Sequence, residues 1–292
     1  MTRATLRVAL AQMCSADSHA ANIETVTLLA EQAADEGAEL LALPEVAGLM
    51  ARKPEVSEAQ VVEAGDDPFI AACRDLAAKH GLWIHSGSTP VRGPDGRYLN
   101  HSTLIDAEGG IVADYDKIHL FDVTLEGQEP IGESKRFAPG ARAVVAETPW
   151  GLVGLSICYD MRFAYLYRAL AQAGAVLMFI PAAFTVPTGR AHWEVLLRAR
   201  AIESGAFVLA AAQAGLHADG RETYGHSLAV GPWGEVLADL GEEAPTLRVI
   251  DLDLSAVARA RAQIPAWGIA APERLEPMRV GPGLDKPAHG LR

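Results

Sequence analysis

The stretch GLSICYDMRF, residues 154–163, changes from apolar to polar at a single cysteine, Cys158. The apolar run at 152–157 predicts a short buried strand, and the spacing at 163–173 predicts a helix. Cys158 is therefore expected where a strand turns into a helix, and the next backbone N–H groups favour a thiolate or an oxyanion there. Cysteine is often only a small buried core residue, but three polar neighbours favour a nucleophile here. They are Tyr159, Asp160 and Arg162.

The composition is that of an ordinary globular protein of 292 residues, with 50% hydrophobic and 21% charged residues. The formal net charge of -12 argues against a nucleic-acid-binding protein, which needs a basic face. No apolar run is long enough to cross a membrane, and the N-terminus lacks a signal-peptide core. Cys14, Cys73 and Cys158 are widely spaced and form no Cys-x-x-Cys motif, which favours a reducing cytoplasm.

Strand–helix–strand units and hairpins alternate along the chain, which predicts mixed sheets covered by helices. The predicted elements lie at 6–12, 22–36, 40–43, 68–80, 82–88, 102–106, 111–115, 143–147, 152–157, 163–173, 175–180, 190–203, 206–212, 226–230, 235–239, 246–252 and 255–264. No linker divides residues 1–265, so we expect a single domain there. Residues 266–292 are rich in proline and glycine and are expected to form an extended tail, which either wraps a partner subunit or is loosely ordered.

Two further polar side chains follow predicted apolar strands, as Cys158 does. Glu45 ends the segment LLALPE, and Lys117 stands in DYDKIHLFD. A cysteine hydrolase needs an activated thiol, a proton shuttle and positive charge for the oxyanion. The usual shuttle is histidine, but we interpret His80 and His101 as surface or turn residues. Singly, Glu45 fits a solvated turn and Lys117 a surface charge. Together with Cys158 they fit a site at one end of a sheet.

The segment CYDMRF, residues 158–163, resembles the nucleophile motif of the nitrilase superfamily of carbon–nitrogen hydrolases, in particular its Nit-type amidases. Other motifs that carry this resemblance occur in the family's order along nearly the whole chain. They are LPE at 43–45, DKIHLFD at 116–122, GESKRFAPG at 132–140, AAFTVPTGRAHWE at 182–194, RARAIE at 198–203 and YGHS at 224–227. The resemblance implies hydrolysis of a small carboxylate-bearing amide, of the ω-amide or deaminated glutathione type, through a cysteine thioester with release of ammonia.

The resemblance also implies an α/β fold, a four-layer α-β-β-α sandwich in which two mixed β-sheets pack face to face with helices outside each. It implies a homodimer paired across one face, a small-molecule amide as substrate and no cofactor. Neither nucleic acid nor a membrane is expected as a partner. His192 resembles a metal ligand, but no second ligand stands at helical spacing, so no metal is expected.

The family's Glu–Lys–Cys triad falls on Glu45, Lys117 and Cys158. Its second glutamate falls on Glu133, which would orient Lys117 or the substrate. Two glutamates of the same loop match less well, Glu126 and Glu129.

The triad implies a defined path for the proton. We expect Lys117 to lower the pKa of the Cys158 thiol from its usual value of about 8.5. The Lys117 ammonium and the Tyr159 backbone N–H would stabilise the oxyanion. Glu45 would collect the thiol proton, deliver it to the departing ammonia and then activate water. This role requires a substantially buried carboxyl group.

Four residues are expected to contact the substrate: Tyr159, Arg162, Thr185 and Arg190. A guanidinium binds a carboxylate through two parallel hydrogen bonds, which makes each arginine a candidate for holding a substrate carboxylate. Either arginine is instead structural if it pairs with Asp160 or Glu194. Thr188 is expected to cap the helix that follows.

Val46 and the residues after it depart from the family, whose Nit-type members tend to carry asparagine and an aromatic residue there. The tail after Pro265 departs as well, and both differences would reshape the mouth of the pocket. The same triad would serve a nitrilase or an N-carbamoyl amine hydrolase, against which the TGRAHW signature at 188–193 argues. A binding protein that has lost its activity is the alternative from another class, and the complete triad argues against it.

Overall fold

The computed structural model of the chain describes residues 3–124 and 130–269. Its helices are α1 (His19–Asp35), α2 (Pro54–Glu58), α3 (Pro68–His80), α4 (Ala164–Gln172), α5 (Val186–Ser204) and α6 (Ser255–Gln263). Short 3-10 helices lie at Ala64–Asp66, Glu133–Lys135, Cys158–Arg162 and Pro265–Gly268. Glu126, Glu129 and residues 270–292 of the expected tail lie outside the described residues.

The described strands form two large sheets and a small β-ribbon. They are β1 (Thr5–Met13), β2 (Leu40–Ala42), β3 (Trp83–His85), β4 (Thr89–Arg92), β5 (Tyr98–Ile105), β6 (Ile111–Asp116), β7 (Asp122–Val123), β8 (Ile131–Gly132), β9 (Val144–Thr148), β10 (Gly151–Leu155), β11 (Leu177–Phe179), β12 (Phe207–Ala210), β13 (Ala212–Leu216), β14 (Glu222–Tyr224), β15 (Leu228–Val230), β16 (Val236–Asp239) and β17 (Thr246–Asp253). A nine-stranded sheet has the order β14-β13-β1-β2-β3-β5-β4, with β17 beside β1 and β6 beside β5, and a six-stranded sheet has the order β16-β15-β12-β11-β10-β9. Both contain parallel and antiparallel pairs, so both are mixed.

The side chains of β1 show how the layers stack, because successive strand residues point to opposite faces. Leu6, Val8 and Leu10 join a core shared with strands of the six-stranded sheet. Ala9 and Met13 join a second core with α1 and α3. Helices α4 and α5 pack on the outer side of the six-stranded sheet. The predicted four-layer α-β-β-α sandwich with two mixed sheets is therefore confirmed.

The chain changes sheets at Ala211, although the apolar run at 206–212 predicts one strand. β12 belongs to the six-stranded sheet, and β13 begins directly afterwards beside β1 in the other sheet. An unbroken apolar run indicates a strand that is buried on both faces. Both strands fit this pattern, so the sequence does not indicate where the chain passes from one sheet to the other. The crossing brings Gln213 to Glu45, whose carbonyl oxygen accepts a hydrogen bond of 2.9 Å from Gln213 Nε2.

Two expectations about single residues are wrong. Helix α5 begins earlier than expected, so its N-cap is Thr185, and Thr188 lies in its first turn with its hydroxyl 2.8 Å from that of Thr185. His101 is not a surface or turn residue, because it is buried in β5. Its Nδ1 lies 2.7 Å from Oδ1 of Asp116 in β6, a carboxylate partner that allows a polar ring to be buried.

The 3-10 helix at Pro265–Gly268 stands where the extended tail was expected to begin. The guanidinium carbon of Arg261 lies 4.3 Å from the ring centroid of Trp267, which holds this turn against α6. In the ranges that the structure describes, no helix is both long and apolar enough to cross a membrane.

Three buried histidines have lowered pKa values, because burial disfavours the charged imidazolium. His85 stacks on Phe179 of the opposite sheet with ring centroids 4.2 Å apart, and burial lowers the pKa of His85 to about 3. Burial also lowers the pKa of His217, and that of His19, where Asp67 offsets the effect only in part. The folded protein thus keeps these rings neutral at pH values where the unfolded chain protonates them.

Stability is expected to fall as the pH drops below about 6.5, the usual pKa of histidine. There the unfolded state binds protons that the folded state excludes, at up to about 1.4 kcal/mol per pH unit for each ring. His85→Asn should lessen the loss between about pH 6.5 and 4.5 by up to about 2.7 kcal/mol. Urea midpoints across this range measure the effect, with His192→Asn at an exposed position as the control. Equal pH dependence in the parent and His85→Asn would contradict it.

Candidate active site

Cys158 lies just beyond β10, at the first position of the 3-10 helix Cys158–Arg162. Its φ of 50° is in the left-handed region, which residues other than glycine and asparagine seldom adopt. The Cys158 N–H donates to the Pro181 carbonyl oxygen at 2.9 Å, which ties the turn to the chain after β11. The residue is 7% exposed, so the thiol lies in a nearly closed site.

Asp160 holds this turn from within the protein. Its buried carboxylate accepts hydrogen bonds from the Ile157 N–H at 2.9 Å and the Tyr115 hydroxyl at 2.7 Å. The His119 N–H donates to it at 3.0 Å, and His119 Nδ1 lies 2.6 Å from the same oxygen. Asp160 is therefore committed to the nucleophile turn and does not pair with Arg162, as one alternative required.

Glu45 follows β2 and approaches the nucleophile from the other sheet. Its Oε1 accepts hydrogen bonds from Lys117 Nζ and Asn100 Nδ2, each at 2.9 Å. Its Oε2 accepts one from the Ala183 N–H at 2.8 Å. Its negative charge acts on the Cys158 thiol and raises the pKa of that group. The side chain is buried, with the residue 5% exposed, as a proton shuttle of this kind requires.

Lys117, directly after β6, is 2% exposed and lies between two carboxylates. Its Nζ is 2.9 Å from Glu45 Oε1 and 3.1 and 3.0 Å from the two oxygens of Glu133. The Phe121 N–H donates to Glu133 Oε2 at 2.6 Å, which fixes that carboxylate. Burial lowers the pKa of Lys117, but the negative charges around it, Glu133 first and Glu45 second, more than offset this and raise it well above its usual value. Lys117 is thus an ammonium held in place by Glu133.

The pKa of the Cys158 thiol is raised well above its usual value, which corrects the expectation of a lowered one. Burial is the largest cause, and the negative charge of Glu45 adds to it. Lys117 lowers the pKa, but its effect is smaller than those of burial and of Glu45. Cys158 therefore rests as a thiol beside a base, and not as a thiolate.

The residue after Glu45 has a left-handed backbone as well. Val46 has a φ of 50°, which for a β-branched residue is a genuine outlier, and its N–H donates to Ser88 Oγ at 2.8 Å. Gly87, with a φ of 66°, lets the neighbouring loop approach, because a Cβ there would lie 1.9 Å from the Pro44 carbonyl oxygen. The proposed base and nucleophile thus both stand at strained turns, where a strand ends.

Arg162 lies between the rings of Tyr159 and Phe184, with its guanidinium carbon 5.7 and 5.5 Å from their centroids. Its Nη2 is 3.3 Å from Nδ1 of His192. Among residues 3–124 and 130–269 it has no carboxylate partner.

The other two predicted substrate residues are placed differently. Arg190 is exposed and lines a groove along α5 that the triad does not line. Glu194 does not pair with it, because Glu194 Oε1 is 3.2 Å from Arg198 Nη1. Thr185 directs its hydroxyl to Thr188. The structure therefore brings together Glu45, Lys117, Cys158 and Glu133 and sets Arg162 beside Tyr159, whereas Arg190 stands apart.

Two groups that contact Glu45 are not among the site residues predicted from the sequence. The first is Asn100, whose signal is that it opens a run of four buried polar residues, 100–103, inside a strand. The second is the Ala183 N–H, which has no sequence signal because nearly every residue carries one. Across the described ranges, no group of three or more His, Cys, Asp or Glu side chains is arranged to hold a metal ion.

Residues 7–262 match the family model for carbon-nitrogen hydrolases. The chain is 41% identical over 271 residues to the deaminated glutathione amidase of Rattus norvegicus, an alignment that covers 91% of this chain and 82% of that enzyme. The NitFhit protein of C. elegans superposes with a TM-score of 0.84 at 35% identity over 91% of this chain, which spans 65% of that protein. An amidase from Nesterenkonia sp. AN1, with acrylamide added at its active-site cysteine, has a TM-score of 0.72 at 30% identity, covering 89% of this chain and 98% of that one.

The chain belongs to the carbon–nitrogen hydrolase family. The matched region includes both sheets and the whole cluster around Cys158. The enzyme class predicted from the sequence, a carbon–nitrogen hydrolase with Nit-type amidases among its relatives, is therefore confirmed.

Val46→Asn is expected to stabilise the protein, because asparagine adopts a left-handed backbone more readily than valine. The gain should be about 1 kcal/mol, or roughly 1.5–2 °C in Tm. Calorimetry of the variant and the parent measures it, and Val112→Asn, at an exposed strand position without a positive φ, controls for the lost apolar side chain. If the Tm of Val46→Asn does not exceed that of the parent, the left-handed backbone of Val46 does not destabilise the protein as expected.

Proposed function

We propose that the chain is an amidase for a small molecule that carries its own carboxylate, with Cys158 as the nucleophile and ammonia as the leaving group. The observation that carries this proposal is the buried cluster of Glu45, Lys117 and Cys158, where β2, β6 and β10 end. The relatives support it, because one at 41% identity is named deaminated glutathione amidase and a solved amidase has an active-site cysteine.

In the first half of the reaction, the Cys158 proton passes to Glu45 while the sulfur attacks the amide carbonyl carbon. The raised pKa of the thiol makes an adjacent base necessary. The Lys117 ammonium and the Tyr159 N–H stabilise the negative charge that develops on the carbonyl oxygen. Glu45 then gives the proton to the amide nitrogen, the C–N bond breaks, and ammonia leaves a thioester on Cys158.

In the second half, Glu45 takes a proton from a water molecule that attacks the thioester carbonyl carbon. The same donors stabilise the second oxyanion, the C–S bond breaks, and Cys158 regains its proton. Glu133 matters in both halves, because it keeps Lys117 paired while Glu45 is neutral. A buried ammonium that lost its only carboxylate would cost several kcal/mol.

Arg162 is the residue that we propose to bind the substrate carboxylate. Two aromatic rings hold its guanidinium, and its hydrogen bond to His192 occupies only one of its five N–H donors. A carboxylate can therefore accept two parallel hydrogen bonds from it. Tyr159 would form one wall of this subsite, and Thr185 and Arg190 remain the secondary candidates.

The alternatives are a nitrilase or an N-carbamoyl amine hydrolase on the same cluster, and a binding protein without activity. A panel of ω-amides, a carbamoyl amine and an aliphatic nitrile, assayed for ammonia release, separates them. The proposal expects the fastest release from an ω-amide with a free carboxylate. Release only from the nitrile or the carbamoyl amine would favour the first alternative, and none from any compound the second.

We also propose a homodimer in which a second copy covers the outer side of α5. Val195 and Ile202 of α5 and Trp233 in the β15–β16 turn are all exposed there. Gly234 lies beside Ile202, so the apolar surface is continuous between the helix and the turn. The three cysteines are free, which fits a reducing compartment, and we propose the cytoplasm.

Lys117→Met should lose at least about a hundredfold in kcat, because removing one oxyanion donor typically costs 10²–10³ in rate. It should also lose about 3–5 kcal/mol of stability, because Glu45 and Glu133 would then face each other without a cation. Steady-state kinetics and urea midpoints measure both. Lys79→Met removes a lysine from an exposed pair with Glu31 and should change neither by much. A Lys117→Met enzyme with near-normal kcat would exclude Lys117 from the reaction.

Arg162→Lys should raise KM for an acid amide far more than for its methyl ester, because lysine keeps the charge but loses the two-pronged geometry. The measurement is kcat/KM for both compounds on the parent and the variant. Arg190→Lys serves as the matched control and should leave the ratio unchanged. Equal efficiency on the two compounds in the parent would defeat carboxylate recognition. A preference that survives Arg162→Lys and disappears in Arg190→Lys would transfer the role to Arg190.

A further inference from the structure

Two carboxylates of the site share a second donor besides Lys117. The amide nitrogen of Asn100 lies 2.9 Å from Glu45 Oε1 and 3.4 Å from Glu133 Oε1. Asn100 is 2% exposed and stands next to Lys117 across the β5–β6 pair, where the Lys117 N–H donates to the Asn100 carbonyl oxygen at 3.0 Å. Asn100 and Lys117 thus bridge the same two carboxylates with one neutral and one charged group.

This arrangement makes the two oxygens of Glu45 unequal. Oε1 accepts from both Lys117 and Asn100, which accounts for its two lone pairs. Among the described residues Oε2 accepts only from the Ala183 N–H, two residues beyond Pro181, whose carbonyl oxygen accepts from the Cys158 N–H. The lone pair left for a proton is therefore on Oε2, on the side of the nucleophile.

The neutrality of Asn100 matters as much as its position. A second cation in its place would hold Glu45 as a carboxylate and oppose its protonation. A purely apolar residue would leave Oε1 with a single donor and weaken the ionised form. The amide can adopt only one orientation, because turning it over would place Oδ1 against two carboxylates. Among the described residues, Oδ1 has no hydrogen-bond partner, so the orientation of the amide is determined by the two carboxylates that accept from its nitrogen.

We propose that Asn100 is a positioning residue that directs the Cys158 proton to Oε2 of Glu45 and helps to keep Glu45 ionised until attack. The S–H bond breaks, the Oε2–H bond forms, and the electron pair left on sulfur forms the bond to the carbonyl carbon while the C=O π pair moves onto the oxygen, where Lys117 and the Tyr159 N–H stabilise it. The inference rests on the proposed function of this cluster. Among the described residues, the charged or titratable groups around Glu45 are Lys117, which hydrogen-bonds it, Cys158, whose thiol pKa its charge raises, and Glu133, which faces it across Lys117 and Asn100.

The test compares the pH profiles of kcat/KM for the parent, Asn100→Leu and Asn100→Asp on the panel compound that the parent hydrolyses fastest. Asn100→Leu removes the donor at similar volume, so the acidic limb should move up by about one pH unit. The carboxyl group introduced by Asn100→Asp can donate a hydrogen bond only while it is protonated. The variant should therefore be active at low pH, and as the pH rises its activity should decline at a lower pH than that of the parent. Calorimetry reports whether each variant is folded, and if Asn100→Leu is not, Asn100→Asp decides.

Profiles that fall evenly at all pH values, with both limbs where the parent has them, would overturn the role of Asn100 and leave the proposed function intact. A parent that hydrolyses no compound of the panel would instead overturn the proposed function, and the role of Asn100 with it. The proposal requires that the acidic limb of Asn100→Leu lies at a higher pH than in the parent and that Asn100→Asp loses activity at a lower pH than the parent.

Discussion

The site depends on one buried ion cluster, the Lys117 ammonium between the carboxylates of Glu45 and Glu133. Removing one partner from such a cluster leaves an uncompensated buried charge and costs about 3–5 kcal/mol. The nine-stranded sheet supplies Glu45 after β2 and Lys117 after β6, and Glu133 follows the small ribbon. The fold therefore fixes the charges before a substrate arrives, which is the condition for electrostatic stabilisation of a transition state.

The same cluster decides the protonation state of the nucleophile. Burial and the negative charge of Glu45 outweigh the charge of Lys117 at Cys158, so a thiolate is not favoured there. The cysteine rests as a thiol, and proton transfer to Glu45 becomes part of the attack. Left-handed backbones at Val46 and Cys158 place base and nucleophile at strand ends from opposite sheets, at a cost of order 1–3 kcal/mol each.

Periodicity and strand-end polarity are local signals, so they predict most of the longer helices and strands and the strand-end side chains of Glu45, Lys117 and Cys158. The four layers and Glu133 are predicted only from the resemblance to the nitrilase superfamily. The sequence does not reveal the sign of the Cys158 pKa shift, which depends on how three charges and burial balance in space. Asn100 is missed because a buried amide has no chemistry of its own to suggest a role. The change of sheet at Ala211 is missed because an apolar run has the same pattern in either sheet. The burial of His101 is missed because its partner Asp116 lies on another strand.

The resting state of Cys158 is the claim on which this account depends most. The ultraviolet absorbance of a thiolate, taken as the difference between the parent and Cys158→Ser and titrated from about pH 6 to pH 9 around the usual thiol pKa, measures it directly. Cys14 and Cys73 are present in both proteins and cancel. No thiolate that depends on Cys158 is expected near neutral pH. A thiolate band in the parent at pH 7 that disappears in Cys158→Ser would contradict it.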